Sequence, residues 1–310
     1  MIVRDLCFIV EVENNRHAYL ILAHNQPRLL QVLIDMIDDE RNDIFIHVDA
    51  KADMNQFANI HAEKSGLYYT ERKKVYWGDF SMSKTELFLL ETAHRNGPYL
   101  YYHILSGVDL PLKNQDYIHH LMDDLYRGRE FVGIAKQDKF HEKFKNRVRY
   151  YHLFSKHFRN HQRIGNYLSV MRKYAIALQK KIGIRRNGDV VLGFGPQWMS
   201  ITDDLCQFIL ARKREIIKRY HHTFIADESF VQTIVYDSPF YERIYDVGDE
   251  YRSCGRLIDW EKGPTYPHVW TNQDWEELTT SDRLFARKFS EDDMDFIYRL
   301  KEHVLNSDTK

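Results

Sequence analysis

Apolar positions along this chain recur with two periods, and their alternation lays out its first half. HAYLILAHN (17–25) is a short apolar run ending in polar residues, the pattern of a buried strand. Pro27 then opens RLLQVLIDMID, in which Leu29, Leu30, Val32, Leu33, Met36 and Ile37 fall at helical spacing; proline suits a first helical turn because its missing amide hydrogen would have no partner there. DIFIHVDAK (43–51) is a second strand, rich in β-branched and aromatic residues. Strand, helix, strand at this separation is a βαβ unit, and a parallel sheet follows. SMSKTELFLLETAHRN (81–96) reads as a helix with a serine start, and YLYYHILS (99–106) as a strand buried on both faces. The tight turn GVDLPLKN, a helix in QDYIHHLMDDLY and a strand in EFVGIA complete this half.

The rhythm stops between Asp138 and Arg186. That segment carries fourteen Lys or Arg against two acids, interleaved with Phe, Tyr and His. It resumes with VVLGFGPQWMSIT, a helix over 202–219, a helix led by TFIADESFVQTIV, and a last helix in SEDDMDFIYRL. No internal repeat or low-complexity linker divides the chain. The expected architecture is one α/β domain over 1–310 with a Rossmann-like, mostly parallel central sheet. Its parts are an N-terminal half at about 16–136, an inserted basic helical lobe at about 138–186 and a C-terminal half at about 188–305.

Composition narrows the class without naming it. Hydrophobic content of 44% with 29% charged residues describes a globular chain, and a net charge of −1 argues against a general polyanion binder. Cys7, Cys206 and Cys254 are odd in number and far apart, which fits neither a disulfide framework nor a metal site and points to a reducing cytosol. MIVRDLCFIVEV lacks the marks of a signal peptide, and no apolar run is long enough to span a bilayer. Any membrane contact is expected to be peripheral.

Candidate chemistry gathers where a βαβ unit binds ligands, beyond the carboxyl ends of its strands. Asp49 ends the second strand, as a ribose-holding acid or a turn former, with His47 on the same strand face; His24 and Asn25 end the first. The GxGxxG fingerprint is missing, which disfavours a dinucleotide and leaves a mononucleotide sugar open. Asp109 in SGVDLP either touches a sugar or bonds its own turn. The Asp293-Met294-Asp295 triplet reads as a helix start, not a metal site. A leaving diphosphate would then need Arg or Lys, and RLFARKF offers Arg283, Arg287 and Lys288, read either as a solvated surface or as phosphate ligands. The adjacent acids Asp227 and Glu228 stand before an apolar run, as helix caps or with one of them as a catalytic base. The basic lobe suits an anionic membrane or an acidic acceptor; with no nucleic-acid motif, RNA and DNA rank last.

In order along residues 17–289, the stretches LILAHNQP, IFIHVDAK, VYWGDFSMSKTELFLLETA, YYHILSGVDLPLKN, GFGPQWMSIT, ADESFVQTIV and LFARKF resemble the core-2/I-branching β-1,6-N-acetylglucosaminyltransferase family, which includes peptide O-xylosyltransferases. The resemblance implies a GT-A type fold, a UDP-sugar donor, inversion at the anomeric carbon and no divalent metal or other cofactor. By position, Glu228 matches the general base, Asp49 the acid that holds the nucleoside, and Lys288 a lysine on the diphosphate. Arg287 and His24 are placed with the nucleotide. Arg256 in GRLIDW is taken for a further family arginine, although the spacing does not align. Trp198, Asp109 and Asp227 are placed near the donor or acceptor sugar. Phe224, Ile225, Phe230 and Val231 are expected to surround Glu228 with an apolar setting while Asp227 caps the helix. The paired cysteines and membrane anchor of secreted animal relatives are missing from this sequence, which suggests a bacterial-type cytosolic enzyme, peripheral where it meets the membrane, acting on a glycan or lipid-linked oligosaccharide in surface polysaccharide synthesis. Three other readings stay open: a non-catalytic nucleotide-sugar or glycan binder, a membrane-docked scaffold using the basic lobe, and a hydrolase with two carboxylates.

Overall fold

Seven consecutive buried residues make each of the first two strands, β1 (His17–Ala23) and β2 (Asn42–Val48), and the helix α1 (Pro27–Ile37) joins them. The computed structural model describes residues 15–136, 142–158, 163–263 and 266–307. In it β3 (Gly66–Tyr69) runs parallel to β2, and β4 (Tyr101–Ser106), reached through α2 (Ser81–Asn96), runs parallel to β1. A short strand β5 (Asp109–Pro111) and helix α3 (Gln115–His119) follow. The basic segment contains α4 (Glu142–Arg149) and α5 (Arg163–Lys181). Beyond it, β6 (Ser200–Thr202) pairs antiparallel with β4 and closes the sheet in the order β3-β2-β1-β4-β6.

Both faces of that sheet are covered, as continuous apolar strands require. Tyr19 and Ile21 of β1 join one core with Leu29, Leu33 and Leu300, while Ala18 and Leu20 join another with Leu87, Leu205 and Val231. The second core is built on α2, α6 (Asp203–Ala211), α7 (Lys213–Tyr220) and α8 (Phe230–Tyr236). After the short α9 (Glu250–Ser253), β7 (Arg256–Ile258), α10 (Trp275–Thr280) and β8 (Phe285–Arg287) lead to α11 (Met294–Leu305), which packs on the α1 side. A second sheet, β5-β8-β7, ties the N-terminal half to the C-terminal one.

Three expectations change. EFVGIA makes only single bridges, Glu130 to Ile244 and Phe131 to Ser200. Here the chain is pressed between other backbones: a Cβ on Gly195 would stand 1.9 Å from Gly133 O, and one on Gly133 2.3 Å from Glu250 O. The helix foreseen over 202–219 is broken at Arg212 into α6 and α7. The acid-led helix starts later, at Phe230 with Ser229 before it, so Asp227 does not cap it. Asp293 does cap α11, accepting from Phe296 N at 3.1 Å. Cys206 and Cys254 are buried and unpaired; Cys7 and the first part of the basic segment lie outside the described residues.

Candidate active site

Strand order reverses at β1, which lies between β2 and β4, and crevices open at such points beyond the carboxyl ends of the strands. A cleft of about 1330 Å³ occupies that place. It is lined by His24 after β1, Asp49 after β2, Ser106 at the end of β4, Trp198 ahead of β6, Asp227 and Glu228 ahead of α8, and Arg287 and Lys288 at the end of β8. Six loops, the first and last of them 264 positions apart at His24 and Lys288, thus converge on one hollow.

The β2 side is held rigidly. Asp49 N donates to Ala23 O at 2.8 Å, which locks the two strand ends together, and the Asp49 carboxylate meets Lys51 Nζ at 3.3 Å. His47 lines the cleft with its ring fixed in place. Burial holds it down to about 4, hence neutral, and Nε2 accepts from Lys73 N at 2.9 Å. With Arg72 Nη2 donating to Asp49 O at 2.8 Å, this pins residues 72 and 73 against the strand end, and Val75 and Tyr76 line the cleft beside Lys51.

Opposite stands a built cation. Arg287 Nη1 donates to Asp109 Oδ1 at 2.7 Å and to Ser106 Oγ, and its guanidinium stacks 4.3 Å from the Trp198 ring. Asp109 itself does not line the cleft. It is buried, takes the Ser106 amide and hydroxyl at 2.8 Å each, and aims Arg287. The half-buried Lys288 follows, with its carbonyl accepting from Trp270 N at 2.9 Å.

Arg256 and Arg283 lie elsewhere. Arg256 is 1% exposed and gives its hydrogens to Ser200 Oγ (2.9 Å), Met199 O (2.8 Å), Ile104 O (3.3 Å) and Cys254 O, over the face of Phe285. Burial pushes it down to about 10. It clasps the two sheets together and is not available to a diphosphate at the cleft. Arg283 pairs with Asp282 and, at 3.5 Å, with Asp249, in a separate small hollow.

The acid pair divides its labour in a way the sequence does not announce. Ile225, a β-branched residue at φ 53°, turns the chain left-handed ahead of it, and its amide is held by Gly78 O at 3.0 Å; such a conformation costs on the order of 1–3 kcal/mol and persists only where its surroundings fix it. Glu228, 35% exposed at its side chain, accepts from Arg147 Nη1 at 2.8 Å through Oε2. Of its expected apolar setting, Phe230 and Val231 turn into the core while Ile225 lines the cleft, and a cation from α4 takes the carboxylate. The GFG turn backs it, with Gly195 N donating to Glu228 O at 3.1 Å; Gly193 must be glycine, since a Cβ there would lie 2.5 Å from Gln232 O.

Asp227 goes inward. Its buried Oδ1 has no hydrogen-bond partner, and burial, reinforced by the charge of Glu228, raises its carboxyl to about 7. Glu86 lies near it, fully buried and bonded to Gln197; burial and then Asp227 push it well above the usual carboxylate range. This predicts a pH signature. A folded value above the unfolded one means that folded Asp227 keeps its proton while the unfolded carboxyl has lost it, so stability falls as pH rises from about 4 through about 7. Asp227→Asn abolishes that loss. Urea titrations at about pH 5 and pH 8 should show the variant gaining on wild type by on the order of a few kcal/mol at the higher pH; an equal difference at both pH values would refute the inward, protonated Asp227.

At the far end of β1, His17, His119 and Asp123 have metal-ligand spacing, but both rings are fully engaged, His17 with Asp123 (2.8 Å) and His103 (3.0 Å), His119 with Asp123 (2.9 Å) and Asn42 (3.0 Å). Arg147 is the functional candidate that sequence reasoning missed. The family model described as "Branch: Core-2/I-Branching enzyme" matches residues 17–283. No curated protein sequence matches the chain significantly. The crystal structure of mouse xyloside xylosyltransferase 1 in its apo form is similar over 87% of this chain and 97% of that one, at 11% identity and a TM-score of 0.37.

Proposed function

This chain belongs to the core-2/I-branching enzyme family and is a glycosyltransferase that uses a UDP-sugar, and from that premise we propose an inverting, metal-independent transfer of N-acetylglucosamine or xylose to a glycan hydroxyl. The observation that carries the proposal is the meeting of Glu228, Arg287, Lys288 and Asp49 in one cleft at the point where the strand order reverses. The GT-A type arrangement, nucleotide first and acceptor after, suits that order of elements.

In this reading uridine lies toward Asp49 and His24, and the diphosphate toward Arg287 and Lys288. The acceptor hydroxyl approaches between Trp198 and Glu228. Its oxygen bonds to the anomeric carbon as the bond from that carbon to the diphosphate oxygen breaks on the opposite face, and its proton passes to Glu228. Charge growing on the leaving oxygen is met by fixed cations already in place, which lose little to reorganisation. Arg147 holds the carboxylate that receives the proton. We place the enzyme at the inner face of the cell membrane, serving surface polysaccharide synthesis, with a glycan or lipid-linked oligosaccharide as acceptor. No helix among the described residues is long and apolar enough to cross a membrane.

A panel of UDP-sugars, read by UDP release with excess EDTA present, tests the reaction. At least one donor should turn over at an undiminished rate. Failure of every donor, with or without metal, would sink the transfer reading, and a strict requirement for Mn²⁺ would overturn its metal-free part alone.

A further inference from the structure

Helix α5 is built inside out. Its inward contacts run through polar side chains: Arg172, buried, lies over the rings of Phe158 and Phe224 at 4.5 and 4.8 Å, and Gln179, buried, exchanges hydrogen bonds with the backbone of Tyr151 at 2.8 and 3.0 Å. The outward face is the apolar one. Tyr167 (64% exposed), then Val170 and Met171, then Tyr174 (73%) and Leu178 (57%) recur at three- and four-residue spacing, which sets them in a single stripe. Ile182 and Ile184 extend it past the helix end. A globular protein rarely shows water so continuous an apolar strip without a use for it.

Charge says what covers the strip. From Arg163 to Arg186 the sequence holds seven Lys or Arg and no acid. Lys173, Lys180, Lys181 and Arg185 are exposed beside the apolar residues. Apolar and tyrosine side chains flanked by cations alone, on a helix of nineteen residues, are the pattern of a helix lying in the plane of an anionic bilayer. A second copy of this chain would bring like charges together, and a neutral partner would leave the cations unanswered. We propose that the outward face of α5 docks the protein on an anionic lipid surface. The docking has a consequence for the site. Lys156 and His157, on the link between α4 and α5, line the cleft, and α4 carries Arg147 onto Glu228. A lobe resting on the bilayer therefore brings the cleft close to an acceptor carried in that bilayer.

This deepens the membrane placement made above, and it is tested without sugar transfer, so either can fail alone. The full chain is sedimented with phosphatidylcholine vesicles and with vesicles containing about a quarter phosphatidylglycerol. Binding is expected only to the anionic vesicles, weakened but not abolished at about 0.5 M salt because the apolar stripe also inserts. Charge reversal in K173E/K180E/K181E should lower the vesicle partition constant at least about tenfold. Y174E/L178E should lower it comparably at low salt, and unchanged thermal melting would show that both variants fold. Three results would overturn the proposal: no binding to anionic vesicles, equal binding by wild type and both variants, or a dimer in light scattering that Y174E/L178E dissociates while vesicles bind nothing.

Discussion

Glu228→Gln is expected to lower the rate of sugar transfer by roughly 10²–10⁴-fold, the scale for losing a general base, while UDP binds as before. The substitution keeps the shape of the side chain and leaves a carbonyl oxygen for Arg147 Nη1, now 2.8 Å from Oε2. It removes only the capacity to accept a proton. The carboxylate is partly exposed and ion-paired, so the role of base asked of it rests on where it stands against the acceptor. Arg147→Met separates placement from charge. As a positioning change it should lower kcat by less than Glu228→Gln and raise KM for the acceptor, with KM for the donor unmoved. Steady-state transfer and UDP titration calorimetry give these quantities. Turnover within a factor of two of wild type in Glu228→Gln would remove Glu228 from the proton transfer, and a matching loss of UDP affinity would make it a nucleotide ligand instead.

How far this site could be read in advance depended on whether each residue's environment is local in sequence. β1, α1, β2, α2 and β4 were legible because burial on both faces of a parallel sheet writes itself into uninterrupted apolar runs and a helical period. The position of the cleft follows from the same unit, since ligands collect where the strand order reverses. EFVGIA misled because its composition suits a strand, whereas its pairing depends on Ser200 and Ile244, far along the chain. The adjacent acids read as a cap and a base, but the turn at Ile225 sends Asp227 inward toward Glu86, away from any cap, and Glu228 toward Arg147. Nothing local marks Arg147 among fourteen cations of the basic segment, because its partner stands 81 residues away. Arg256 failed for the complementary reason. An arginine that holds backbone carbonyls between two sheets is spelled like one that holds phosphate, and only its burial tells them apart.

Lys288→Ala should produce the other large effect. If fixed cations take the place of a metal, the charge that grows on the departing diphosphate is stabilised mainly after the bond begins to break, so the loss falls on kcat. One preorganised donor of this kind is worth roughly 10²–10³-fold, and that is the fall expected here. Arg287 is already committed to Asp109 at 2.7 Å and to the Trp198 ring, so part of its charge is answered before any ligand arrives, and Arg287→Ala should lower kcat by less than the roughly 10²–10³-fold of a fully available donor. The two cations are close enough to couple, and the double variant should lose less than the product of the single losses. UDP should bind Lys288→Ala at least about tenfold more weakly, while uridine, which lacks the diphosphate, should bind both proteins alike. Equal weakening of UDP and uridine would mean that the substitution has disturbed the loop that Trp270 N holds through the Lys288 carbonyl at 2.9 Å. An unchanged kcat with weaker UDP would mean that Lys288 binds ground state and transition state alike, and the leaving group would then have to be stabilised by something other than this pair.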